Sequence, residues 1–431
     1  MIDKKEREAI IRLIHREVVP AIGCTEPVAV AFAVAKAKET LGQIPDKITV
    51  NMSANVLKNA MGVGIPGTGM IGLPIAIALG ALIGKSEYGL EVLKDITPDS
   101  LEAGKKMIAD RKIKISLDKN APDKLYIEAV CTKGENSAKA TVCSEHTRIT
   151  EIERNGEILF SQTAVKSAEN DEETPELKLR KVYDFAMETP LDEIRFVLES
   201  AKMNREASEK ALAENYGHSL GRTMRGIYEK AIMGDSMLSK ILAATSSACD
   251  ARMAGAMIPV MTNSGSGNQG ITATMPVAIY AEETMQSEES LIRALALSHL
   301  TVIYIKQSMG RLSALCGCIV ASTGSACGIT YLMGGTYEQI CFAVKNMIAN
   351  LAGIICDGAK PGCSLKVSGS VTTAVFSAMM AMENKCVQSV EGIIDDDVDR
   401  SIRNLTHIAS SGMLETDRMI LEIMTNKGKE E

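Results

Sequence analysis

KLYIEAVCTKGENSAKATVCSEHTRITEIERNGEILF (residues 124–160) is made of short runs rich in β-branched residues, with apolar and polar positions taking turns. Successive side chains of a strand point to opposite faces, so alternation with a period of two reads as half-buried strands. Upstream, KITVNMS (47–53) and KIKISLD (112–118) carry the same pattern, which places strands between about residues 45 and 162. Residues 1–40 instead show helical spacing, through Ile10, Ile11, Ile14 and Val18 and again after Pro27. Downstream, the charged run SAENDEETPELK (167–178) reads as a linker or surface loop. From about residue 179 the pattern is nearly all helical, broken by Gly-rich loops. These readings predict an α+β fold: an α+β domain over 1–165 with N-terminal helices and short strands, then a mostly α-helical domain over 179–431.

The 431 residues are 46% apolar and 23% charged, a balance that fits a globular protein and excludes a disordered one. A net charge of −7 argues against a nucleic-acid partner, since neutralising phosphates takes a basic surface. Trp is absent and Phe occurs six times, while Gly (34) and Met (24) abound, so closely packed helices are expected. Three segments, 59–84, 253–281 and 312–337, carry no charged side chain, and a transporter with broken helices would share that trait. Missing aromatic belts and basic flanks, and the polar run TNSGSGNQG (262–270), favour buried Gly-rich loops and no membrane. The opening MIDKKEREAIIRLIHREVV lacks the apolar stretch of a secretory signal, and eleven cysteines in so long a chain do not form a disulfide framework. Both point to free thiols in a reducing cytoplasm.

Four stretches carry candidate chemistry. In Gly23-Cys24-Thr25-Glu26-Pro27, Thr25 suits an N-cap and Pro27 a first helical turn, so Cys24 sits at the positive end of a helix, where thiolate is favoured. A small buried residue at a helix start accounts for it equally well. In the helical half, Cys316-Gly317-Cys318, Cys327, Cys341, Cys356 and Cys363 form a second group. Cys356 and Cys363 flank the turn-rich DGAKPG, which lets two thiolates converge on a metal centre, with a third from the CGC turn. Spacing alone favours a scatter of core thiols, and Cys327 and Cys341 read as such. Neither C-x-x-C pairs nor ferredoxin spacings occur, which argues against structural zinc and ferredoxin-type sites. Third, Ser264, Gly265, Ser266, Gly267, Asn268 and Gln269, ahead of a helix starting near Ile271, read as a nest of backbone N–H groups suited to a carboxylate, or as a tight turn with no ligand. Fourth, Asn51, Ser53, Asn55, Lys58 and Asn59 precede GVGIPGTGMIG (62–72); Asn55 and Asn59 are candidate substrate contacts, and a strand end with a surface loop explains them almost as well. His15, His146, His218, His299 and His407 show no metal-binding spacing and read as structural.

Taken together, GCTEP (23–27), IPGTG (65–69), SGSGNQG (264–270), GRLSALCGC (310–318) and ICDGAKPGC (355–363) resemble the L-cysteine desulfidase family, itself similar to the iron–sulfur L-serine dehydratases. The resemblance runs nearly the whole length, with the motifs in the expected order. It implies a [4Fe–4S] cluster held by Cys356, Cys363 and Cys316, with Cys318 as the alternative to Cys316, and Cys24 as the base. Iron then acts as a Lewis acid on the substrate sulfur while Cys24 removes the α-proton, so that L-cysteine yields sulfide, pyruvate and ammonia. Partners on this reading are a small amino acid and neither nucleic acid nor membrane; a homo-oligomer is left open. The competing enzyme readings are a cluster-bearing L-serine dehydratase and a pyridoxal-phosphate lyase with Lys240 as Schiff-base residue, which lacks a downstream glycine tetrad for the phosphate.

Overall fold

The computed structural model describes residues 2–162, 174–310 and 313–427, so most of the charged run 167–178, and Arg311 and Leu312 of the GRLSALCGC motif, lie outside the described residues. The first half holds α1 (Lys4–Glu17), β1 (Pro20–Ile22), α2 (Thr25–Leu41), β2 (Lys47–Met52), α3 (Ala54–Ala60), α4 (Leu73–Leu82), α5 (Pro98–Ala109), β3 (Ile113–Leu117), β4 (Tyr126–Lys133), β5 (Asn136–Cys143), β6 (Ile149–Arg154) and β7 (Glu157–Ser161). The second half holds α6 (Leu179–Glu188), α7 (Leu191–Ile194), α8 (Leu198–Ala213), α9 (Leu220–Thr223), α10 (Ile227–Ile232), α11 (Met237–Met253), β8 (Pro259–Met261), α12 (Gly267–Glu283), α13 (Glu288–Met309), α14 (Gly317–Leu332), α15 (Tyr337–Leu351), α16 (Cys363–Met382), α17 (Val398–His407) and α18 (Leu414–Asn426). The fold is α+β.

Each alternating run seen in the sequence is a strand of one six-stranded sheet, ordered β3-β2-β4-β5-β6-β7. Only β2 and β3 run parallel, joined by the long crossover that contains α3, α4 and α5. The inward residues Ile48, Val50, Ile127, Ala129, Cys131 and Val142 meet α2, whose apolar residues run all round because α4 covers its other side. In that packing, Gly80 brings α4 against the backbone of Ala31, where a β-carbon would lie 2.6 Å from the carbonyl oxygen. The second core is built by α11, α12, α13, α14, α15 and α16, with α1 laid on its edge through Ile10, Leu13 and Ile14. By length and apolar composition α16 is able to cross a bilayer, yet half of it is buried here, against α11, α14 and α15.

A two-stranded ribbon that sequence periodicity does not show ties the halves together. β1 pairs antiparallel with β8, Pro20 opposite Met261 and Ile22 opposite Pro259. Beyond it the Thr262 N–H donates to the Val19 carbonyl (2.8 Å) and the Ser264 N–H to that of Glu17 (2.9 Å). Cys24 follows β1 by two residues, and the SGSGNQG run follows β8 by three. Residues 240 apart in the chain are thereby set side by side.

Candidate active site

Thr25 is the first helical residue of α2 and Cys24 is its N-cap, one position from the expected arrangement. The Thr25 hydroxyl is engaged elsewhere, donating to Glu26 Oε2 (3.1 Å) and reaching the Gly265 carbonyl (3.4 Å). Gly23 has φ +72°, and a β-carbon there would lie 2.4 Å from Pro66 Cγ, so the IPGTG loop packs directly on the turn that delivers Cys24. Cys24 is 1% exposed. Burial pushes its thiol up to about 12, outweighing the adjacent Arg252, which pulls the other way. The thiolate-favouring helix terminus read from the sequence is present, and desolvation overrides it.

α12 begins at Gly267, four residues before the expected start, because Gly267, Asn268, Gln269 and Gly270 form its first turn. Ser264 (φ +49°) and Gly265 (φ +79°) make a tight turn closed by the Asn263 and Ser266 backbones, and Ser266 is the N-cap. Gly270 is required by close approach: a β-carbon there would lie 2.0 Å from the Met261 carbonyl oxygen of β8. The turn is held from beneath by buried Asn263, whose amide meets His299 Nδ1 (3.0 Å), while His299 Nε2 faces Thr274 (3.2 Å) and Ser200 (3.1 Å). Burial lowers the His299 pKa to about 4, which favours the neutral ring.

Opposite this loop lie the cysteines. The Cys316 N–H donates to Ile354 O (3.0 Å) and the Cys356 N–H to Ala314 O (2.6 Å), forming a short antiparallel bridge that sets the Cys316 thiol against that of Cys356. Cys316 is the N-cap of α14, and Cys363 opens α16. The Cys318 sulfur lies 3.2 Å from both Cys316 Sγ and Ser370 Oγ. The Asp357 carboxylate pairs with Lys360 and Lys366, pinning the loop between Cys356 and Cys363. All these thiols are free. Contact with Cys318, together with burial, holds the Cys316 thiol above its ordinary value; contact with Cys316 does the same to Cys356, and burial to Cys363.

One cavity of about 120 Å³ joins these parts, lined by Cys24, Ser264, Gly265, Ser266, Asn268 and Gln269 on one side and Cys316, Cys318, Cys356 and Cys363 on the other. The starts of α2, α12, α14 and α16 all border it, so partial positive charge from four helices favours anions there. Of the expected contacts, Gly267 and Asn55 are not among the lining residues. A β-carbon on Gly267 would lie 2.2 Å from Arg252 Nε, and Asn55 instead donates to Asp417 (2.8 Å), beside the buried Lys58–Asp417 pair. Asn51 and Ser53 are spent on Glu128 and the Lys124 carbonyl. Asn59 does line the cavity and donates to Glu26 Oε1 (3.1 Å). Sequence reasoning gave no role to Glu26, Arg252 and Lys306 and read His146 as structural, yet all four line it too. Lys240 lies outside it, paired with Glu283 (2.6 Å).

Three thiols with no histidine or carboxylate among them form a soft donor set that fits an iron–sulfur cluster. Among the described residues no three His, Cys, Asp or Glu side chains close on a single ion. The three cysteines line one cavity. Crowded neutral thiols of this kind give up their protons to a metal.

Residues 87–422 match the family model described as serine dehydratase alpha chain, a span that includes every cluster-candidate cysteine and leaves Cys24 upstream. The chain is 66% identical to a UPF0597 protein of Bacteroides fragilis over 425 residues, 99% of each chain. It is 54% identical to a UPF0597 protein of Porphyromonas gingivalis over 99% of this chain and all of the relative. A UPF0597 protein of Oleidesulfovibrio alaskensis is 47% identical over 98% of this chain and 99% of its own.

Proposed function

The chain belongs to the serine dehydratase alpha-chain family, and we propose that within this family of lyases it is an L-cysteine desulfidase, releasing sulfide, pyruvate and ammonia. The observation that carries this reading is the meeting of Cys24 with Cys316, Cys356 and Cys363 in one small cavity. Cys316, Cys356 and Cys363 would hold a [4Fe–4S] cluster, which when bound would supply Lewis acidity toward the substrate sulfur. Cys316 is favoured over Cys318 because its sulfur faces Cys356, whereas that of Cys318 packs on Ser370.

The chain's own residues do the rest. The N–H groups opening α12 and the Asn268 and Gln269 amides hold the carboxylate. Cys24 as thiolate takes the α-proton; its burial makes the thiolate costly to form and a strong base once formed. The Cβ–S bond breaks with both electrons leaving on sulfur, giving aminoacrylate, which tautomerises and takes up water to yield pyruvate and ammonia. No electron is exchanged with another reactant. Eleven free cysteines suit a reducing cytoplasm. L-Serine is the second reading, favoured by the description of the matching family.

Product analysis under anaerobic conditions tests this. L-Cysteine should yield sulfide, pyruvate and ammonia in equal amounts, with kcat/KM above that for L-serine; pyruvate from serine alone would replace the substrate. Cys24→Ala should keep its iron and lose about 10²–10⁴-fold in turnover, as general-base removal does. Near-normal turnover takes Cys24 out of the reaction, and loss of iron recasts it as a ligand.

A further inference from the structure

Arg252 ends α11 with only 4% of its surface exposed, and it lines the cavity beside Cys24. Its Nη1 donates to Asn268 Oδ1 (3.1 Å), while Nε is buried with no acceptor. The buried Gln269 side-chain oxygen on the same wall is unsatisfied as well. A buried charge with an unspent donor is costly, and such groups in a native fold await a ligand, a water or an ion. Glu26 is the one carboxylate among the described residues lining the cavity. Asn59 and Thr25 each donate to one of its oxygens at 3.1 Å, which fixes its direction without neutralising it. Among the described residues neither Arg252 nor Glu26 forms an ion pair. Two opposite charges on one wall, unpaired with each other, are the complement of a zwitterion.

We propose that Arg252 and Glu26 are the anchors by which this cavity reads a free α-amino acid, Arg252 supplying the charge that joins the α12 N–H groups on the carboxylate and Glu26 taking the ammonium. Recognition then extends to small amino acids that keep both charges, and it excludes peptides, simple amines and simple carboxylates, each of which leaves buried Arg252 or half-buried Glu26 unmatched. The α-carbon is thereby held next to Cys24, the position the desulfidase reading requires, and the proposal rests on that reading for its chemistry though not for binding.

The test is anaerobic calorimetry of the whole protein as isolated, with L-alanine, propionate and ethylamine. Alanine has both charges and no leaving group, so binding is read without turnover. It should bind at least about tenfold more tightly than either single-charge probe, the worth of one charge-assisted contact. Arg252→Gln should weaken alanine by about 10- to 100-fold and leave ethylamine unchanged. Glu26→Gln should weaken alanine similarly and leave propionate unchanged. That mirrored selectivity cannot come from a misfolded cavity, and Arg252→Lys should recover part of the loss. Failure of wild-type protein to bind alanine, or wild-type affinity in either variant, overturns the proposal, as does a loss carried by Lys306→Met in place of Arg252→Gln. The mirrored pattern in a protein that releases no sulfide from cysteine upholds the anchors and rejects the desulfidase reading alone.

Discussion

Cys316, Cys356 and Cys363 differ from the other cysteines in what surrounds them. Cys327 is buried within α14, and Cys341 sits on α15 outside the cavity, whereas these three open or flank loops at its wall. Replacing any one by Ser should lower the iron content of anaerobically prepared protein, while Cys318→Ser and Cys341→Ser should keep it, as read by iron and sulfide analysis. A full cluster in Cys316→Ser together with loss in Cys318→Ser would exchange the two. Spacing alone left these cysteines a scatter of core thiols and Cys24 an even choice; the family resemblance singled them out, and the structure sets them around one cavity. Glu26, Arg252 and His146 were not singled out, since a carboxylate in a first turn, an arginine at a helix end and a histidine in a strand loop each have an ordinary local explanation. Asn55 misled for the opposite reason. An amide next to a lysine looks like a binding site until the partner, Asp417, arrives from 362 residues away.

At the scale of elements, the β1–β8 ribbon and the first turn of α12 position everything on the Cys24 side. Two predictions belong here. Gly270→Ala puts a methyl group within 2.0 Å of the β8 backbone, where no flexible side chain can yield, and should cost about 1–3 kcal/mol or more in urea unfolding. Gly353→Ala, whose β-carbon meets nothing within 4 Å, is the control. His299 provides a pH dependence. Its folded pKa near 4 lies below the ordinary 6.5, so between those values the unfolded chain binds the proton that the folded chain refuses. Stability should therefore be unaffected by this group above about pH 6.5 and fall as pH drops toward 4, by on the order of 3 kcal/mol in all. Urea unfolding at pH 7 and pH 5 reads the slope, and His299→Gln should flatten it. The six strands of the main sheet were plain from period-two alternation, whereas three-residue β1 and β8 are too short to show any period. The early start of α12 was hidden because Gly-Asn-Gln-Gly has poor helix propensity, which packing against β8 overrides.

Across the whole molecule, chain order and packing order part company. α1 comes first in sequence yet packs on the helical core, while Leu421 of α18, near the end, joins the core that contains the sheet. The cavity lies where those cores meet, with Cys24, Glu26, Asn59 and His146 coming from the first 150 residues and the 264–269 loop, Cys316, Cys356 and Cys363 from the rest. Sequence patterning separates a strand-rich stretch from a helical one; it carries no signal for which helices cross between them, because an amphipathic face does not name its partner. A cavity assembled across that seam needs both halves in register for Cys24 to share it with Cys316, Cys356 and Cys363. The direct measurement is sulfide release from L-cysteine by anaerobically purified protein, followed as iron is removed by chelation and then restored with iron and sulfide. Loaded protein should hold about four irons per chain, and sulfide and pyruvate release should fall in proportion to iron and return with it. Iron-free protein that still releases sulfide, or fully loaded protein that releases none, contradicts the account.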